Sequence, residues 1–489
     1  MAKKKNDSLT YMQLPLPQGQ KAYKLTKVNW SGLNKRQTMD TGVLSMENNI
    51  STDETPYLIP SQKRLVYKSG YTNPISIFGF DNFLLVVYRS GTQIKIDYIK
   101  SNGTTYTGTL KSSGATSADE YQRCIVKFNV YDTPTDPVSG EFVKKLLIFP
   151  DKKSMDFEIN SNFTPADMDV GINQVPDLKY ATVHLSRLFG VDDDRVYASG
   201  FNDYTNWNLD TTQEYNVNNA WVSPAQANTK ANSSFTGITT FMNHVICFKE
   251  NFMHEIYNNK NPFRLQDIFA EGCIDNRSIQ DVDGRLIFTD RDNVKVYTGA
   301  NPRIIGYNLN VGEFYNAVSG TDNRKYYLYC ETDKSAHNLF VYDTLIDQWA
   351  EESIDFEVLG FAHNQNGMYL LGKDGNVYRV DSGNYNQSWR LETDFFTGKT
   401  IDIKHIKKIQ LLAQIPNGSD LDIYVLYDDE QWSLNSHRVY SGSGGGQVPI
   451  RIVPRQTASY GFKLHIRGHG YVKLYGLEVF VTNGGDLYV

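Results

Sequence analysis

From about residue 75 to residue 383 the chain repeats one short pattern of apolar and polar positions. A run of four to six apolar residues is followed by a turn of Gly, Asp, Asn or Ser, then by a second run in which apolar and polar residues alternate. Side chains two apart share a face of a strand, so the pattern predicts β-hairpins. The clearest pair 83–88 with 94–99, 285–288 with 294–297, and 368–371 with 377–380, the last through Lys373-Asp374-Gly375-Asn376. Four more pair 146–149 with 155–157, 188–191 with 195–197, 245–248 with 254–257, and 326–329 with 338–342.

Taking Leu84, Leu146, Leu188, Ile246, Leu286, Tyr327 and Leu370 as equivalent points gives spacings of 62, 42, 58, 40, 41 and 43 residues. A hairpin every 40 to 50 residues, with no helical period between, is what stacked four-stranded units produce. The expectation is an all-β chain built on a seven-bladed β-propeller, with the two long spacings holding insertions around 133–137 and 202–232. A set of stacked β-sandwiches is the rival arrangement. After residue 383 the pattern changes to five longer alternating strands, marked by Ile406 and Ile409, Leu421 and Ile423, Ile450 and Ile452, Leu464 and Ile466, and Leu477 and Val479. One buried and one wet face per strand predicts an antiparallel C-terminal β-sandwich. The division expected is a basic N-terminal arm over 1–40, the propeller over 41–383 and the sandwich over 384–489.

Composition sharpens this picture in two places. Aromatic residues make up 13% of the 489, with 32 Tyr and 25 Phe, which favours strands over long helices. The net charge is −6, yet the first 40 residues carry +6, with Lys3, Lys4 and Lys5 at the tip. A modestly acidic whole argues against a generic nucleic-acid binder, whereas the basic tip is a docking element for an acidic partner or a solvated end. The four cysteines are far apart and form no CxxC pair, which points to reduced structural thiols. No apolar stretch is long enough for a membrane span and none reads as a signal peptide, so a soluble protein made in a cytoplasm is expected.

Catalytic motifs are not apparent. Asp192-Asp193-Asp194 lacks the glycine spacing of a calcium loop and reads as a hairpin turn, because adjacent strand residues point to opposite sides. The segment from Ser199 to Asp203 with Trp207 does not hold the spacing of a sialidase Asp-box. Nine histidines are scattered; His465 and His469, the closest pair, lie on the outward side of a strand rather than in a ligand set. Ser441 to Gly446 reads as a hairpin loop, since no helix and lysine follow to cradle a phosphate. No GxSxG is present. Neither a cofactor nor a metal is expected, and the chain is not read as an enzyme. What remains is surface: Asn202, Tyr204, Trp207 and Tyr215 in the long Asn- and Tyr-rich insertion are, with Lys3, Lys4 and Lys5, the candidate partner-contact residues. Rigid rings beside adaptable amides suit contact with proteins or sugars, and equally suit packing.

Several segments, in order, resemble the β-propeller tail proteins of bacteriophages known as hub or stabilisation proteins. They are Trp30-Ser31-Gly32-Leu33-Asn34-Lys35-Arg36, Met46-Glu47-Asn48-Asn49-Ile50-Ser51 and Pro56-Tyr57-Leu58-Ile59-Pro60, then Leu146 to Lys153, Ser186 to Gly190, Arg195 to Gly200 with Asn206-Trp207, and finally Ile406 to Ile409, Tyr424 to Tyr427, Phe462 to Leu464 and Gly484 to Asp486. The resemblance covers most of the chain except the Lys-rich tip and supplies no catalytic residues. It implies a virion structural protein, assembled in the host cytoplasm into a ring of six copies at the junction of portal and tail. Its partners would be itself, portal or head-tail adaptor proteins and other tail proteins, with genomic DNA passing through. The alternative is a glycan- or receptor-binding propeller module that could be a carbohydrate-active enzyme.

Overall fold

In a computed structural model of the chain the residues described are 10–14, 22–27, 30, 32–36, 44–116, 119, 121–131, 142–169, 174–209, 218–223, 233–258, 260–269, 271–332, 336–397, 403–427, 438–441, 446–452 and 458–483. Strands dominate, with short helical turns at Asn276–Ser278 and Gly306–Leu309. Each of the seven hairpins is the middle pair of a four-stranded antiparallel sheet. The innermost strands, in chain order, are Pro74–Phe80, Cys124–Tyr131, Tyr180–His184, Phe235–Phe241, Gln280–Val282, Tyr315–Thr321 and Val358–Asn364.

The middle strands read as continuous apolar runs because both of their faces are buried, and successive residues serve opposite neighbours. Leu85 and Ile96 of the first sheet pack with Leu146 and Ile148 of the second. Leu147 and Phe149 of the second meet Leu188 of the third, whose Phe189 and Val196 meet Val245 and Cys247 of the fourth. Ile246 and Phe248 continue to Leu286 and Phe288 of the fifth, Ile287 and Val296 to Leu328 and Phe340 of the sixth, and Tyr329 and Val341 to Met368 and Leu370 of the seventh. Tyr369 and Leu371 of the seventh then pack on Leu84 and Val86 of the first. The sheets close into a ring, the arrangement of a β-propeller.

Strand pairing also closes the ring. The outer strand of the seventh sheet is not the next segment of chain but Leu65–Lys68, which precedes the first sheet and pairs with Val377–Arg379. Beside it, the buried carboxylate of Asp97 accepts hydroxyl hydrogen bonds from Tyr71 at 3.2 Å, Tyr88 at 3.2 Å and Thr107 at 2.7 Å. At the hub the innermost strands approach so closely that two of them need glycine: a Cβ on Gly79 would lie 2.2 Å from the His363 carbonyl oxygen, and one on Gly320 would lie 2.3 Å from Phe361 Cβ.

The chain after the ring forms two further sheets. Lys404–Gln414, Gln447–Ile452 and Lys473–Asn483 build one, and Ser388–Thr393, Asp420–Tyr427, Arg438–Ser441 and Phe462–His469 the other. Ile409, Leu411, Ile450, Leu477 and Val479 from the first share a single core with Trp389, Leu391, Leu421, Ile423 and Leu464 from the second. All five strands expected after residue 383 are present.

The N-terminal region departs from expectation. Thr10–Leu14 and Ala22–Lys27 are not part of a free arm: they pair with each other, and Ala22–Lys27 pairs with Lys473–Asn483. Leu44–Asn48, expected within the propeller, instead pairs with Ser388–Thr393. The unsatisfied edges of the two C-terminal sheets supply the reason, since a strand from the other chain end covers exposed N–H and C=O groups. Lys3, Lys4 and Lys5 lie outside the described residues. Between these strands and the closing strand, the chain runs along the sixth sheet, tied by Lys35 to Glu351 at 2.8 Å, Lys325 to Asp53 at 2.7 Å, Thr52 to the buried Asp343 at 2.9 Å and Arg64 to Glu352 at 2.7 Å.

Glu47 sits inside this seam, 2% exposed, accepting the Glu351 N–H at 3.0 Å. Burial raises its carboxyl well above the ordinary range against the lowering effects of that N–H and of Lys35, with Glu351 adding repulsion. A carboxyl whose folded pKa is raised favours the fold fully below its unfolded pKa, and the contribution is lost as pH rises through the folded value. Glu47→Gln should therefore gain stability relative to the parent as the pH increases, read by urea denaturation across pH 4 to 9; equal pH profiles would contradict a neutral buried Glu47. Asp97→Ala should cost about 2 kcal/mol, since it strips a buried acceptor from three hydroxyls, with Asp97→Asn costing less; denaturant midpoints measure both.

Candidate functional site

The seven innermost strands surround an axial cavity of about 280 Å³. Its wall is knitted by bonds that cross from sheet to sheet. Cys124 Sγ meets the Ala181 backbone at 3.4 Å, Thr182 and Thr240 hydroxyls lie 3.0 Å apart, and the Ile238 N–H donates to Asn276 Oδ1 at 3.1 Å. Gln280 donates to the Ser319 carbonyl at 3.2 Å, and Ser319 Oγ to the Arg277 carbonyl at 2.7 Å. Paired polar groups in a tight wall make a rigid hub with room for a few waters or one small solute. A nucleic-acid duplex does not pass through it.

At one mouth the cavity widens into a basin of about 870 Å³. Arg277 forks onto Asp275 at 2.7 Å and donates to Asn316 Oδ1 at 2.9 Å; Asn316 donates to Glu331 at 3.2 Å, which also accepts the Tyr329 hydroxyl at 3.3 Å. Tyr329 Oη lies 2.7 Å from His337 Nδ1. Burial opposes the charge on Arg277, but Asp275 more than restores it, so the guanidinium is held above its ordinary value. Burial, with Asp275 nearby, pushes the Tyr180 phenol up to about 12. Lys373 pairs with Glu357 at 2.5 Å, and Lys179 with Asp193. The rim thus offers fixed, paired hydrogen-bonding groups, plus the ring of Tyr121, 71% exposed.

The predicted contact residues lie elsewhere. Trp207 is 8% exposed, packs in the core between the second and third sheets, and donates its Nε1–H to the Tyr204 carbonyl at 2.9 Å. Tyr204 meets the Phe128 ring edge-on at 5.6 Å. Asn202 holds a turn with φ 57°, its N–H donating to the Ser186 carbonyl at 2.8 Å. Trp207 packs into the ring because an indole buries more apolar area than a loop can leave in water, whereas Asn202 and Tyr204 are half-buried beside it. Tyr215 lies outside the described residues, as do 132–141 and Gly442 to Gly445. Asp192 forms a turn, accepting the N–H groups of Asp194 and Arg195 at 2.7 and 2.6 Å. Among the described residues no three His, Cys, Asp or Glu side chains group as a metal site. All four cysteines are free thiols; burial pushes Cys124 up to about 11 and the other three higher, against thiolate chemistry.

Sequence reasoning missed the rim set of Arg277, Asn316, Glu331 and Tyr121. Asn316 and Glu331 sit on paired strands of the sixth sheet, while Arg277 precedes the fifth and Tyr121 the second; no motif links them, and the ring brings the three places together.

No protein-family model matches the sequence, and no curated protein matches it. Solved structures similar to it include the WD40 domain of Toxoplasma gondii coronin, at 9% identity over 68% of this chain and 89% of that one, TM-score 0.37. Others are the β-propeller domain of the trilobed protease from Pyrococcus furiosus, at 11% over 67% and 95%, TM-score 0.32, and an exo-β-1,3-galactanase from Phanerochaete chrysosporium, at 9% over 85% and 100%, TM-score 0.23.

Trp207→Ala should lower stability by about 3–5 kcal/mol, the cost of emptying a buried indole site. Thermal and denaturant unfolding measure this; an unchanged midpoint would return Trp207 to the list of surface contact residues.

Proposed function

We propose that this chain is a structural component of a bacteriophage tail, a seven-bladed β-propeller with a C-terminal β-sandwich that assembles as a ring of copies around the DNA-ejection channel near the portal. The observation that carries the reading is the closed ring of seven sheets with a core between every neighbouring pair, together with the ordered run of segments that resemble tail hub proteins. A body whose two chain ends are sewn into one sandwich suits a static load-bearing part. The narrow axial cavity adds a constraint: DNA would pass between copies, along a conduit that the oligomer makes, and not through any one propeller. The acidic body would then let DNA slide without gripping it. No catalytic step is assigned to it.

Quantitative mass spectrometry of density-purified phage particles from the source of this chain tests the reading. The expected result is a fixed copy number near half that of the portal protein. Absence from intact particles would overturn it.

A further inference from the structure

The outer face of the sheet Leu44–Asn48, Ser388–Thr393, Phe462–His469, Asp420–Tyr427 carries a pocket of about 570 Å³, walled on one side by Ser353 from the link between the sixth and seventh sheets. Strand register places Arg390 directly opposite Arg467, and Ser388 opposite His469. Like charges facing each other across a strand pair are unfavourable. The two arginines resolve this unequally. Arg467 is drawn to the far strand, where it pairs with Asp422 at 3.0 Å and lies over the Tyr424 ring at 5.0 Å. Arg390 is exposed and makes no ion pair or side-chain hydrogen bond among the described residues. Next to it in register on the edge strand stands Asn48, whose Oδ1 is buried without a partner, a cost that a ligand hydroxyl reached by rotation of the amide would remove.

We infer that this pocket binds a saccharide bearing a single carboxylate, with Arg390 as the carboxylate-binding residue. The rest of the wall selects the class. Ser388 and Ser353 mix donors and acceptors as sugar hydroxyls require, and the room lies within the range of small-ligand sites. Asp420 and Asp422 line the same pocket. Arg467 offsets Asp422, and Arg390 balances Asp420, so the pocket holds no excess of positive charge for a nucleic acid or a polyphosphate, while an ionised carboxylate readily accepts hydroxyl hydrogen bonds. Asp420 is held in place by the His469 N–H at 2.9 Å, and Asn49 is fixed by donating to the Ser388 carbonyl at 2.8 Å and accepting the Ser353 N–H at 2.9 Å. The pocket is therefore preformed. Nothing in this inference depends on the tail assignment, and a site on the sandwich face is compatible with a ring built through other surfaces.

Calorimetric titration of the full chain with galacturonate, glucuronate and sialyllactose, beside galactose, glucose and lactose, tests it. At least one acidic sugar should bind, with its neutral counterpart weaker by about ten- to a hundred-fold, the worth of a charge-assisted contact. Arg390→Gln should lose the same factor with an unchanged thermal midpoint, because the side chain supports no packing. Lack of binding by every acidic sugar, equal binding of the neutral partner, full binding by Arg390→Gln, or displacement by inorganic phosphate at equal concentration would each overturn the inference.

Discussion

The constraint on which everything else rests is that each sheet of the ring buries both faces against its neighbours, so no sheet is stable until the last has met the first. Seven inter-sheet cores require seven sheets in a closed circle, and closure leaves a seam. Here the seam is sewn by Leu65–Lys68, brought from before the first sheet to complete the seventh. The Asp97 hydroxyl cluster beside that strand anchors the first sheet. Because the strand that closes the ring belongs to the N-terminal segment, the position of that segment is a condition of the fold rather than an ornament on it.

That segment also explains how the two parts of the molecule are coupled. Residues 22–27 extend one C-terminal sheet, residues 44–48 extend the other, residues 49–53 and Arg64 lie against the sixth sheet, Glu54 and Leu58 turn to residues 471–474, and residues 65–68 close the seventh. One continuous strip therefore ties both C-terminal sheets to the ring, through the shielded pair of Arg64 with Glu352, through the more exposed pairs of Lys35 with Glu351 and Lys325 with Asp53, and through Glu47 and Asp343, which are buried. Shielded pairs with additional hydrogen bonds fix geometry more than they add stability. The consequence is a defined orientation of the C-terminal sheets on the ring, and with it the wall that Ser353 lends to the Arg390 pocket.

Much of this was legible in the sequence, for a physical reason. A strand buried on both faces must be apolar at consecutive positions, as Leu84 to Val87 and Leu146 to Phe149 are, and such runs mark the middle strands that the hairpin spacing counts. Strands with one wet face alternate, as Leu421 to Val425 do. The inner strands were less visible because glycines such as Gly79 and Gly320 serve close approach rather than apolar burial, and the outer strands because they are short. The N-terminal strands were read as a charged arm because charge was counted over the whole segment, whereas pairing depends on the strand's backbone and on which edge awaits a partner.

The candidate sites divide along the same line. Aromatic and amide-rich loop composition pointed to Tyr204 and Trp207, yet composition cannot tell a ring that faces solvent from one that plugs a gap between sheets. The rim of the axial basin and the Arg390 pocket have the opposite character: neither carries a motif, the rim being gathered by closure of the ring and the pocket by strand register. Arg390 and Arg467 are separated by 77 positions and become opposite neighbours only when the sheet forms. Functional surfaces on a rigid β-scaffold are properties of register, and so the informative signal is a pairing that a free chain would avoid, tolerated here at a place where a ligand could relieve it.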